Sequence, residues 1–291
     1  MVSTRSLRSF AAAVLISHSS AQKCSLQFDG RVPSTFSPVS FDSANNGIFS
    51  SSNVFGQGLR LSQLIQLPAV TPSLFDVDTI SLEVTISDES IFAPSADNVQ
   101  AGFRRAELLP ASNTGTDPST TGVKTVHFSV MKDGQRPLNL THEYQLVFLE
   151  SNDFSTNQLV LKTGTILGQA TTEPDTLLLF GNVDQDPPQI LFSTPFADDV
   201  FHNFAVTLDF DNLTTQVFFS TGANSLLAVT QPLANDVSGQ GQFHFGVLKK
   251  GLDGGDDIVK DGIQEPGIDE GIIFGGIFEE DTSAGCVSLS A

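Results

Sequence analysis

The sequence predicts an all-β fold: a single-domain β-jelly-roll sandwich with a concave groove along one sheet. Three observations carry this. Short apolar or alternating runs recur along the chain, separated by Gly, Pro, Asn, Asp and Ser. Helical patterning is almost absent. No internal repeat or linker divides the chain, and a mature length of about 270 residues is within the range of one large all-β domain.

The runs read in order as strands. Thr79 to Ile86 alternates strictly, with Ile80, Leu82, Val84 and Ile86 against Thr79, Ser81, Glu83 and Thr85. This is the pattern of a half-buried antiparallel strand. Further runs are Val123 to Met131, Glu143 to Leu149, Gln158 to Lys162, Leu177 to Phe180, Phe204 to Phe210, Gln216 to Ser220, Gln242 to Leu248 and Ile272 to Phe278. Their number and spacing suit a sandwich or jelly roll. Between Lys249 and Gly271 the chain is rich in Gly and Asp and reads as a long loop. Asp253, Asp256, Asp257 and Asp261 there are either a solvated acidic cluster or ligands for a calcium ion, although their spacing matches no EF-hand.

Residues 1–21 read as a secretory leader. Arg5 and Arg8 precede a short apolar run, Phe10 to Ile16, and Ser19-Ser20-Ala21 supplies small residues for cleavage. The expected mature domain spans 22–291. Losing Arg5 and Arg8 moves the net charge from −19 to −21, which argues against nucleic acid and anionic membranes as partners. Cys24 and Cys286 are the two cysteines, and in a secreted chain they are expected to pair. Asn139-Leu140-Thr141 and Asn212-Leu213-Thr214 are glycosylation sequons. No cofactor is expected, and the protein is expected to act as a monomer.

Side chains alternate across a strand, so parity separates a core face from an outer face. In Gly102 to Pro110, Phe103, Arg105 and Glu107 share one face. In Val123 to Met131 the core face is Val126, Phe128 and Val130, and His127 lies opposite. In Glu143 to Leu149, Tyr144, Leu146 and Phe148 read as core, leaving Glu143 and Gln145 outside. Parity places Glu150 with the core face, at a strand end where register is loose. In Gln242 to Leu248, Phe243, Phe245 and Val247 read as core, with Gln242, His244 and Gly246 opposite. Taken singly, a strand Glu or His is more often solvated than catalytic. Together these outer faces outline a polar groove suited to an extended polymer. Phe103, Arg105, His127, Gln145 and Gln242 are its candidate binding residues. His142 and His202 read as structural or surface residues. The chain has no Trp and one Tyr but 24 Phe, so stacking on a sugar would fall to Phe.

The strings that outline this groove, with Phe28 to Pro33, Leu161 to Thr165, Ser238 to Lys250 and Gly271 to Glu280, resemble fungal glycoside hydrolase family 131 nearly end to end over the mature chain. The resemblance implies a jelly-roll catalytic domain that attacks β-glucans at β-1,3, β-1,6 and β-1,4 linkages with inversion. It implies acid/base work by the glutamate of the Arg-Arg-Ala-Glu strand, here Glu107. The implied partners are a second glutamate and a histidine, which strand parity assigns to Glu143 and His244, with Glu150 as the rival to Glu143. A glucan-binding lectin of the same fold, and a polysaccharide lyase using Arg104, Arg105 and Lys249 on uronates, are the alternative readings.

Overall fold

The structure is a computed structural model that describes residues 24–291 apart from 44, 45, 51, 114 and 116. The leader expected at residues 1–21 lies outside the described residues. Twelve strands of five residues or more are present among them. They are β1 (Ser25–Asp29), β2 (Leu82–Ser87), β3 (Phe103–Leu108), β4 (Val123–Lys132), β5 (Glu143–Glu150) and β6 (Asn157–Gly164). They continue with β7 (Thr176–Phe180), β8 (Ile190–Pro195), β9 (His202–Asp209), β10 (Thr214–Thr221), β11 (Gln242–Lys250) and β12 (Asp269–Asp281). Among the described residues, helix is limited to single turns such as Ile258–Asp261 within the acidic loop, where the Asp257 carboxylate accepts from the Lys260 amide.

The strands form two antiparallel sheets. The first runs β10-β9-β4-β12-β2, with β1 beside β12 beyond the end of β2. The second runs β8-β7-β6-β5-β11-β3. The predicted inward residues meet between them. Phe128 stacks on Phe204 within the first sheet, and Phe245 of the second sheet meets Phe128 edge-on at 6.3 Å. Phe28 and Phe243 meet across the same space.

Parity assigns a side chain to one face of its own strand, and every sandwich has two outer faces. His127 shows the consequence. Its strand, β4, lies in the first sheet, whereas β3, β5 and β11 lie in the second. His127 therefore points out of the opposite side of the molecule. It is buried there, stacked on Phe278 at 4.2 Å and met edge-on by Phe75. Of the four strands expected to share a polar face, β3, β5 and β11 lie in one sheet and β4 in the other.

The interior is not wholly apolar. Lys249 of β11 reaches across the sandwich to Glu270 of β12 at 2.6 Å, and the Tyr144 hydroxyl donates to the same carboxylate at 2.6 Å. Lys249 is thus enclosed and cannot serve a uronate in the groove. Burial, then the adjacent Glu270 charge, raises the Tyr144 pKa, so the phenol stays protonated. A disulfide joins Cys24 to Cys286, with Cα atoms 5.7 Å apart. It closes a loop of 262 residues and so restricts the unfolded chain. Of the two sequons, Asn212 is exposed at the β9–β10 turn. Asn139 is half-buried and donates to Glu265.

Lys249→Met would leave the Glu270 carboxylate buried without its counter-charge. Chemical denaturation is expected to show a loss of about 3–5 kcal/mol, the usual cost of breaking a buried pair. An unchanged unfolding midpoint would refute the role given to this cross-sheet contact.

Candidate functional site

The site is assembled on the outer face of the second sheet. Glu107 stands on β3, directly opposite Gly246 of β11. A Cβ at Gly246 would lie 2.0 Å from the Ala106 carbonyl oxygen, so only a bare backbone fits beside Glu107. The Glu107 side chain is fully buried. Arg105 grips it as a fork, with Nε donating to Oε1 at 2.7 Å and Nη2 to Oε2 at 2.6 Å. Arg105 is itself held by Gln100, whose Oε1 accepts from Nη1 at 3.0 Å, and its guanidinium lies over the Phe92 ring.

His244 joins this pair from β11. Its Nδ1 is 2.9 Å from Glu107 Oε2, and its ring stacks on Phe148 at 4.3 Å. Its Nε2 faces Glu150 Oε2 at 3.4 Å, an ion-pair contact longer than a good hydrogen bond. Glu150 is the open end of the chain of groups, with 25% of its side chain exposed against 0% for Glu107.

Glu150 reaches the site because β5 carries a bulge. Leu146 and Val147 both pack into the core. The register against β6 and against β11 shifts at this point. Beyond the bulge the alternation is reversed. Val147 and Leu149 turn inward, and Phe148 and Glu150 turn outward opposite His244 and Gln242. Strict alternation places these four residues the other way round, and the inserted residue is why it fails.

Other expected residues lie further along the same face. Glu143 shares its row with Lys250 and Phe103, four residues along β3 from Glu107 and two strands away. Strand rise and spacing put its Cα about 16 Å from that of Glu107. Its enclosed carboxylate is held by Lys250 Nζ at 2.7 Å, Lys162 Nζ at 3.0 Å and the Leu167 amide at 2.9 Å. Gln145 is buried beside it, donating to Glu143 at 3.4 Å and accepting from Asn157. Phe103 is buried at the same end. Gln242 pairs with Glu150 and donates to the Asn113 carbonyl, placing it at the rim of the site. The structure thus brings together Arg105, Glu107, His244 and Gln242, and adds Glu150. His142 and His202 bond backbone carbonyls, as structural histidines do. Among the described residues, no group of three or more His, Cys, Asp or Glu is arranged to hold a metal ion.

Charge interactions set the protonation of the site. Burial pushes the Glu107 carboxyl up, but the Arg105 charge and the bonds from His244 and Arg105 outweigh it and hold Glu107 below its ordinary range. Burial lowers His244, but Glu107 and Glu150 outweigh it and raise the imidazole above its ordinary value. An ionised Glu107 beside a protonated His244 is the arrangement these shifts favour. Glu143 is also held low: burial raises it, and the Lys250 and Lys162 charges prevail.

The sequence as a whole matches the description "Glycoside hydrolase 131 catalytic N-terminal domain" over residues 26–285. The chain belongs to this family. Two solved family 131 structures share its fold. One is the crystal structure of a GH131 beta-glucanase catalytic domain from Podospora anserina, with a TM-score of 0.71 and 23% identity, covering 91% of this chain and 98% of that one. The other is the catalytic domain of the family 131 protein from Coprinopsis cinerea, with a TM-score of 0.65 and 21% identity, covering 92% and 98%. No curated protein matches this chain. A family 131 catalytic domain is a glycoside hydrolase.

The raised His244 contributes stability that is complete below its ordinary pKa of 6.5 and is lost as pH rises through its folded value. The lowered Glu107 contributes above its ordinary 4.5 and is lost as pH falls through its folded value. Both contributions are fully present only between those ordinary values. NMR titration of the His244 imidazole is expected to give a midpoint above 6.5 that falls in Glu107→Gln. A midpoint at or below 6.5 in the unaltered protein would contradict the geometry.

Proposed function

We propose that this family 131 domain is a secreted, monomeric β-glucanase that cleaves β-1,3, β-1,6 or β-1,4 bonds with inversion. The observation that carries the reading is His244 standing between a buried carboxylate and a partly exposed one. Hydrolysis of a glycosidic bond needs a proton donor for the leaving oxygen and a base for water. Glu107 cannot touch substrate directly, since both its oxygens are occupied and enclosed. It acts through His244, fixing the ring and supporting its positive charge. Glu150 meets the groove directly. It replaces Glu143 as the second carboxylate, because Glu143 is enclosed by two lysines and stands too far along the face.

Inversion is what the family resemblance implies, and the stereochemistry of the first product tests it. A β-glucan substrate accords with the Podospora anserina relative, which is described as a beta-glucanase. A bridged cysteine pair accords with an oxidising compartment and therefore with secretion.

Glu107→Gln and Glu150→Gln are each expected to lower kcat/KM on soluble β-glucans by at least about a hundredfold, the scale of acid/base catalysis. Glu143→Gln is expected to stay within about tenfold of the unaltered enzyme, since no proton transfer depends on it. Steady-state kinetics on folded variants decides this, and the opposite ranking of Glu143 and Glu150 would restore Glu143. Proton NMR of the first product is expected to show the α-anomer. An initial β-anomer would rule out inversion.

A further inference from the structure

The outer face of the first sheet carries a cavity of about 440 Å³ on the side of the molecule away from the active-site face. Its lining includes Asp29, Arg31, Phe75, Phe278 and the exposed side chain of Val77. The volume falls within the range of small-molecule sites.

The polar groups here are pre-organised. Arg31 forks onto Asp29, with Nε donating to Oδ1 at 2.8 Å and Nη2 to Oδ2 at 2.6 Å. The guanidinium lies 4.9 Å over Phe278, whose ring is also stacked by His127. Behind it, Glu280 is fully used. Its carboxylate accepts from His127 Nε2, from the Ser288 amide and from the Ser288 hydroxyl. The serine and the histidine both bond the carboxylate and not each other, so this is no nucleophilic triad. It is a rigid floor.

What faces the cavity is the Arg31–Asp29 donor–acceptor pair, with the carboxylates of Asp78 and Glu280 also in the lining. Arg31 Nη1 has no hydrogen-bond partner among the described residues, and the Asp29 oxygens retain acceptor capacity. Apolar surface from Leu26 and Val77 adjoins it. Adjacent hydroxyls of a pyranose offer one donor and one acceptor side by side, and the ring's C–H face is apolar. An anion would meet Asp29 and Glu280, and a lipid-like apolar ligand would strand the fork.

We propose that this cavity is a second carbohydrate site, taking one or two rings of a neutral glucan and anchoring the enzyme to its polymer on the face opposite the active site. The identity of the polymer rests on the β-glucanase reading above. The test compares the full chain with Arg31→Ala and with Val77→Arg, which blocks the mouth without disturbing the core. Depletion onto insoluble β-1,3-glucan is measured at 4 °C, and kcat/KM on a short soluble β-glucan oligosaccharide is measured alongside. Both variants are expected to lose at least fivefold in binding to the insoluble glucan while the soluble kcat/KM is unchanged. Normal hydrolysis with undiminished depletion in Val77→Arg would overturn the second site and leave the β-glucanase reading intact. Cavity-dependent binding without hydrolysis by the unaltered protein would do the reverse. A parallel fall of both quantities in a folded Val77→Arg would also overturn the proposal, since it would make the cavity part of the active site.

Discussion

The fork between Arg105 and Glu107 is the constraint on which the candidate site depends. A fully enclosed carboxylate is costly unless it is paired and hydrogen-bonded. Arg105 supplies both from two residues away on the same strand, because side chains i and i+2 share a face. With Glu107 held ionised, His244 gains a counter-charge and keeps its proton in spite of burial. With His244 fixed on Phe148, Glu150 gains a neighbour that faces the groove. Gly246 is the backbone condition for this arrangement, since it lets β11 press against β3 at the row where the fork sits.

Much of the fold and part of the site are legible in the sequence, and the failures have definite physical causes. The inward positions of β2, β4 and β11 follow from alternation, because each strand has one face in a common apolar core. The disulfide follows from two cysteines in an oxidising context. Alternation places His127 in the groove because it ranks the two faces of a strand and is silent on which sheet the strand joins. That choice is made by long-range pairing, here β4 with β9 and β12. Glu150 and Phe148 were reversed by a single extra residue at Leu146–Val147. Both bulge residues are ordinary aliphatics, with no Gly or Pro to signal the irregularity. Gln100 and Phe92 brace Arg105 from a loop, where periodicity carries no information.

The distribution of charge within the molecule is as informative as its net value. The surface is strongly acidic, yet enclosed cations are repeatedly matched to enclosed carboxylates. Lys249 with Glu270, Arg105 with Glu107, and Lys162 and Lys250 with Glu143 are the main instances. The first lies between the sheets and the others on the groove face. Such pairs are poor sources of stability compared with apolar packing, but breaking one is severe. They therefore fix geometry more than they add free energy.

The bridge between Cys24 and Cys286 ties β1 to the segment that follows β12, two strands already paired side by side. The covalent chain between these points is thereby closed into a ring. A single cut by a protease in any exposed loop, the Lys249 to Gly271 segment included, opens that ring without separating a fragment. Both new ends stay tethered within one sandwich, and the cut chain keeps its strands at high effective concentration. Release of a piece requires a second cut or reduction of the bridge. The domain gains tolerance to nicking from two cysteines placed at the extremes of the described chain.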